Sequence, residues 1–165
     1  MADYEMDDEE LNGIMKYEYE RVLSCGILDY GFEVKLIDSP NENEKYIKWK
    51  LIMNAPDDSD YKGGSYYINV EFIKNYPYEN PKFTFETPIY HCNVKDNGEL
   101  NVNWMMRGMK IDYIMPRLLT LFYLQDTSVD ENSERSKLYK ENPEEFKKNI
   151  EKNVKEQASA KKTFK

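Results

Sequence analysis

Apolar and polar residues alternate along this chain with two different periods, and each change of period marks a new element. Near the start, Leu11, Ile14, Met15, Val22 and Leu23 recur at helical spacing and predict one amphipathic helix beginning after Asp7 or Asp8. Asp7 is placed to accept the Glu10 amide, the acids of the first turn suit a helix N-terminus, and Gly26 supplies the stop. The period then falls to two. Phe32, Val34 and Leu36 alternate with charges in Phe32–Ile37; Ile47, Trp49, Leu51 and Met53 do so in Ile47–Met53. Tyr66, Ile68, Val70 and Phe72 share one face of Ser65–Ile73, and Phe83 and Phe85 mark a shorter fourth strand. Ser39-Pro40-Asn41, Ala55-Pro56-Asp57-Asp58 and Gly63-Gly64 punctuate these runs as turns, so the strands read as an antiparallel meander.

After the turn signal Asp96-Asn97-Gly98 the pattern becomes helical again. Pro116 suits a first helical turn ahead of Leu118, Leu119, Leu121, Phe122 and Leu124, which predicts a helix buried against the sheet. Asn142-Pro143-Glu144-Glu145 reads as a cap followed by a proline at the first helical position, and Phe146, Ile150 and Val154 form the apolar stripe of a last helix. The predicted fold class is α+β: an N-terminal helix, a four-stranded antiparallel meander, a central helix and C-terminal helices. The expected organisation is an acidic extension over 1–7, one domain over 8–158 and a basic, flexible tail over 159–165.

Composition narrows the chemistry. The 165 residues are 40% hydrophobic and 33% charged, with a net charge of −8 that disfavours nucleic acid and anionic membranes as partners. Cys25 and Cys92 form no disulfide framework and, with His91 as the sole histidine, no zinc ligand set. No cofactor or metal is expected. An acidic start without signal character and the lack of an apolar span lead to the expectation of a reducing compartment, cytoplasmic and/or nuclear.

Four blocks fall in order: Pro56-Asp57-Asp58; Tyr61-Lys62-Gly63-Gly64; Tyr76-Pro77-Tyr78-Glu79-Asn80-Pro81-Lys82; and Thr87-Pro88-Ile89-Tyr90-His91-Cys92-Asn93-Val94. Together, and within the matching order of helix and strands, they resemble the catalytic core of the ubiquitin-conjugating enzyme family, over roughly Asp8 to Ala158. The resemblance implies a His-Pro-Asn triplet followed at a fixed interval by a nucleophilic cysteine. Here the triplet is His91-Cys92-Asn93 and the nucleophile position falls on Asn101. Transthiolation needs a sulfur that attacks and then leaves, whereas a carboxamide is delocalised, weakly nucleophilic and unable to carry a thioester. Asn93 matches the asparagine associated with the oxyanion or the adjoining loop, and the family role of His91 is structural. Cys92 replaces the family's proline and is the alternative nucleophile, although it has only Lys95 nearby as a cation. Asp126, Asp130 and Glu131 occupy the loop that borders the active site in the family and read as solvated acids.

Two further departures concern partners. The family usually docks its activating enzyme on a basic first helix, whereas this helix opens with Asp7-Asp8-Glu9-Glu10 and carries Lys16 and Arg21 as its bases. Ligases grip an aromatic in one loop and a Ser-Pro-Ala in the next. Tyr78 fills the first position, and the second reads Met109-Lys110-Ile111-Asp112, so Tyr78, Met109 and Ile111 are the candidate partner-binding residues. Met105, Met106 and Met109 read either as core filler or as an adaptable contact surface. These features lead to the expectation of a catalytically inactive, enzyme-variant-like protein that regulates ubiquitin or ubiquitin-like conjugation. It would do so by binding an active conjugating enzyme and/or ubiquitin, with a ligase as a further candidate partner. The alternatives are an active conjugating enzyme, using Cys92 or with Asn101 replacing a native cysteine, and an interaction scaffold unrelated to ubiquitin.

Overall fold

The computed structural model describes residues 5–164. Asp7 caps helix α1 (Asp8–Ser24) as its sequence predicts, and the cap is reciprocal. The Glu10 amide donates to Asp7 Oδ1 at 2.9 Å and the Asp7 amide to Glu10 Oε2 at 3.1 Å. The buried stripe of α1 is Leu11, Met15, Glu18 and Val22. Leu23, expected on that face, lies half exposed, because it is displaced by one helical step of 100° from Val22. Glu18 takes a stripe position instead, and burial pushes its carboxyl up, against the opposing pull of Arg21 and Lys110.

The four strands are β1 (Phe32–Leu36), β2 (Lys48–Asn54), β3 (Ser65–Glu71) and β4 (Lys82–Phe85), paired antiparallel in chain order. Their period-two pattern works as read: Phe32, Trp49, Leu51, Met53, Tyr66, Ile68, Val70, Phe83 and Phe85 all turn into one core. Trp49 is wholly buried with its indole N–H donated to the Tyr46 carbonyl at 2.7 Å, and the Phe72 ring packs between Trp49 and Tyr76, with centroids 4.6 and 5.2 Å away.

The predicted central helix starts earlier than Pro116. Helix α2 spans Ile111–Leu118, because the Tyr76 hydroxyl accepts the Ile111 amide at 2.6 Å and the Lys110 carbonyl receives Tyr113 and Ile114. Pro116 sits inside it. Lacking an N–H, it removes one helical bond, and the chain tightens into a 3-10 turn over Leu119–Phe122. Ile111, Ile114, Met115 and Leu118 are fully buried, each worth about 1.5–3 kcal/mol of transfer free energy, whereas Leu124 is exposed beyond the turn. An ion pair from Arg21 to Asp112 braces α1 against α2. Helices α3 (Glu134–Glu141) and α4 (Pro143–Asn153) follow, with Asn142 capping α4 through the Glu145 amide at 3.2 Å. A π turn over Val154–Ala158 buries Val154 and Ala158.

The basic tail, expected to be flexible, has definite partners in the structure. Within 161–164, Lys162, Thr163 and Phe164 contact Ser65 and Tyr67; Lys165 lies outside the described residues.

Candidate functional site

The segment after β4 is held by one turn that the sequence announces. Asp96-Asn97-Gly98 closes it through Gly98 N–H to Lys95 O and Lys95 N–H to Glu99 O, both at 2.9 Å. Gly98 has φ of 89° and its carbonyl accepts the Phe85 amide at 2.7 Å; a Cβ there would stand 2.3 Å from the Phe85 oxygen. No other residue allows that approach. The turn brings Asn101 back beside Asn93, whose carbonyl accepts the Asn101 amide at 2.7 Å. The two positions that the sequence places eight residues apart are thus neighbours.

His91 is wholly buried. The Asn93 amide donates to its Nδ1 at 2.8 Å, which makes Nε2 the protonated nitrogen, donating to the Leu121 carbonyl at 2.7 Å. Burial drives its pKa down to about 4, so at neutral pH the ring is an uncharged brace between this loop and the 3-10 turn. The carboxamide of Asn93 is equally committed. Its Nδ2 donates to the Asp126 carbonyl at 2.9 Å and its Oδ1 accepts the Asp126 amide at 3.0 Å, so it joins two loops.

Cys92 is buried, and burial pushes its thiol up, with the nearby Ser136 hydroxyl and the Arg135 charge opposing. Its amide donates to Gln125 Oε1 at 2.8 Å, while Gln125 Nε2 donates to the Tyr61 hydroxyl and that hydroxyl donates to the Tyr90 carbonyl. Cys92 and Asn101 line one groove of about 590 Å³, together with Lys95, Asp130, Asn132 and Arg135. The acids singled out in the sequence separate here: Asp126 meets Asn93 through its backbone while its carboxylate accepts the Ser128 amide and hydroxyl, Asp130 reaches the groove rim and Glu131 is exposed.

Sequence reasoning missed Arg135. From the first turn of α3, its Nη1 reaches the carbonyls of Ile89, His91 and Val94 at 3.3, 3.2 and 2.9 Å. Its Nη2 meets Asp96 at 2.9 Å and its guanidinium covers the Tyr90 ring at 4.9 Å. One cation gathers three carbonyls of the segment that carries His91, Cys92 and Asn93. The linear signal was slight, a single arginine among the lysines and acids of an ordinary surface helix. Gln125 was missed for the same reason.

The candidate partner residues divide. Tyr78 is 66% exposed. Met109 is half-buried, with its sulfur 3.2 Å from the Met106 amide. Ile111 is corrected: it is completely buried as the first residue of α2 and has no surface to offer a partner. Met106 and Tyr113 are exposed beside it in sequence and take its place on the outside, while Met105 and Met109 pack against the core. The two loops are tied together, since Gly108 N–H donates to Pro77 O at 2.8 Å and Asn80 Nδ2 to Met106 O at 3.0 Å. Of the two bases of α1, Lys16 is exposed and Arg21 is engaged with Asp112.

An N-terminal helix, a four-stranded meander and a groove beneath a His-Cys-Asn loop define an α+β domain of the ubiquitin-conjugating type. The sequence model described as ubiquitin-conjugating enzyme matches residues 28–154, and the chain belongs to that family. A 63-residue stretch is 41% identical to "Probable ubiquitin-conjugating enzyme E2 31" of Arabidopsis thaliana, covering 38% of this chain and 40% of that one. Over 134 residues it is 32% identical to a ubiquitin-conjugating enzyme E2 of African swine fever virus, covering 71% of this chain and 61% of the viral one. Ubiquitin-conjugating enzyme E2 15 of Schizosaccharomyces pombe is 28% identical over 137 residues, covering 73% of this chain and 80% of the relative. The chain thus spans less than two thirds of the first two. Among the described residues, no helix is long and apolar enough to cross a membrane.

Proposed function

We propose that this chain is a catalytically inactive member of the family that regulates conjugation of ubiquitin or a ubiquitin-like protein. It would act by binding an active conjugating enzyme and/or the modifier itself. The observation that carries the reading is Asn101. Its amide donates to the Asn93 carbonyl and it lines the groove with Cys92, which supports reading it as the nucleophile position, where a carboxamide can form no thioester. Two features support it. The neighbouring thiol is buried with a raised pKa, the opposite of what an attacking sulfur needs. The opening turn of α1 is acidic, and Arg21 is drawn into an ion pair, which weakens this helix as a docking surface for an acidic partner.

The second reading is an active conjugating enzyme. The matched relatives are named as such, and Cys92 lines the same groove as Asn101. Incubation with activating enzyme, ATP and ubiquitin separates the two. The proposal expects no reductant-sensitive adduct on this chain, and an adduct lost in Cys92→Ala would establish the second reading.

A further inference from the structure

A cavity of about 310 Å³ opens between the turn that carries Asp60 and Tyr61, the segment from Phe122 to Gln125, and helices α3 and α4. It sits at the lower end of the range for small-ligand cavities, about 300–1,000 Å³, and matches one inserted side chain better than a larger molecule. Five aromatic rings line it: Tyr61, Phe122 and Phe146, which are buried, and Tyr123 and Tyr139, which are 54% and 37% exposed. These rings are already fixed. The Tyr61 hydroxyl donates to the Tyr90 carbonyl at 2.5 Å and accepts Gln125 Nε2 at 2.8 Å, and the Tyr123 hydroxyl donates to Asp58 Oδ1 at 2.5 Å. Phe122 packs on Tyr61 at 5.6 Å, and Tyr139 meets Phe146 edge-on at 5.2 Å. A ligand would therefore lose little affinity to the ordering of its own walls.

The mouth of the cavity is acidic. Asp60 and Glu144 both line it and both are exposed. Asp60 is held loosely, 3.6 Å from Lys147 Nζ with both side chains 55% exposed, and Glu144 has no ion pair among the described residues. Lys147 is the base among the described lining residues, so two carboxylates face one ammonium. The faces of the rings are electron-rich as well. Together they favour a cation that gives up water easily. An ammonium is compact and strongly hydrated, and Lys147 accordingly stays at the mouth. A guanidinium is weakly hydrated, stacks on aromatic rings and offers a planar fork to carboxylates.

The geometry points to this cavity as a binding site for an arginine side chain of a protein partner, its guanidinium stacked on the open rings of Tyr123 and Tyr139 and bonded to Glu144 and Asp60 in competition with Lys147. The inner wall is shared with the segment after β4, since Gln125 Oε1 accepts the Cys92 amide at 2.8 Å and Tyr61 stacks on His91 at 5.9 Å. The Gln125 side-chain amide and the Cys92 backbone amide thus report on occupancy. The inference does not depend on how Asn101 is read.

The test is an NMR titration of the full, nitrogen-15-labelled chain with Nα-acetylarginine N-methylamide. The citrulline analogue serves as its uncharged isostere, and the lysine analogue and tetramethylammonium serve as alternative cations. The arginine probe should shift the Gln125 and Cys92 signals together and saturably, the citrulline probe should not, and the other two cations should bind more weakly. Glu144→Gln and Tyr139→Leu should each weaken the arginine probe about 2–5-fold, the effect of one exposed ion pair or one exposed cation–ring contact. Lys147→Ala removes the competing cation and should tighten binding by about 2–5-fold, a gain that damage to the fold would not produce. Glu144 is exposed, so Glu144→Gln carries the test if Tyr139→Leu disturbs the packing of α3 on α4. The absence of saturable shifts with the arginine probe would overturn the inference. So would equal binding of the citrulline probe, equal or tighter binding of lysine or tetramethylammonium, or a Lys147→Ala variant that binds no tighter than the native chain.

Discussion

Replacing Arg135 by alanine tests the organisation of the site at its most concentrated point. The guanidinium supplies donors to three backbone carbonyls belonging to Ile89, His91 and Val94, all residues that are nearly inaccessible to water. Nη1 carries two protons for these three acceptors, so they count as two hydrogen bonds. Bonds with a charged partner each contribute about 1.5–3 kcal/mol, and removal of the donor leaves buried acceptors unsatisfied. The side chain is 22% exposed, so water recovers part of the loss, and the pair with the 96% exposed Asp96 adds little. The expected cost is about 2–4 kcal/mol. Urea denaturation should show the midpoint falling with an unchanged slope, and the melting temperature should drop by roughly 5–15 °C for a chain of this length. Arg135→Lys keeps the charge and loses the planar fork, and should retain less than half of that stabilisation. A loss under about 1 kcal/mol for alanine, or full rescue by lysine, would refute the idea that the fork clamps the loop.

The remaining predictions concern the two other unusual groups of the site. His91 binds its proton near pH 4 in the fold and near 6.5 when unfolded, so the unfolded chain holds more protons between those values. Its contribution is therefore complete above about pH 6.5 and is lost as pH falls towards 4, a loss of about 3 kcal/mol. Titration of the imidazole proton by NMR should show no transition near 6.5, and one there would sink the buried-brace assignment. For the thiols, a disulfide reagent at neutral pH should modify the exposed Cys25 rapidly and the buried Cys92 only at the rate of opening. Cys25→Ser should abolish the fast phase, and a fast phase that survives it would show Cys92 to be accessible.

Much of this molecule could be read from local signals, because those signals act over a few residues. The Asp7 cap, the four alternating strands, the Asp96-Asn97-Gly98 turn and the Asn142 cap each depend on neighbours in the chain. The spacing from Asn93 to Asn101 likewise becomes a contact through one turn, with the Asn101 amide on the Asn93 carbonyl. Where the reading slipped, a distant group had intervened. Tyr76 starts α2 at Ile111, ahead of the position that Pro116 suggested, and so buries a residue expected to face a partner.

By itself, then, the sequence determined the α+β order, the paired strands, the acidic opening of the first helix and the carboxamide at position 101. These follow from periodicity, short-range capping and the chemistry of single side chains. Only the tertiary structure decided that Cys92 is buried and that Arg135 serves three carbonyls from another element. Burial and hydrogen-bond partnership are properties of what surrounds a residue. For these two the surroundings come from segments 33 to 46 positions away, where no period in the chain records them.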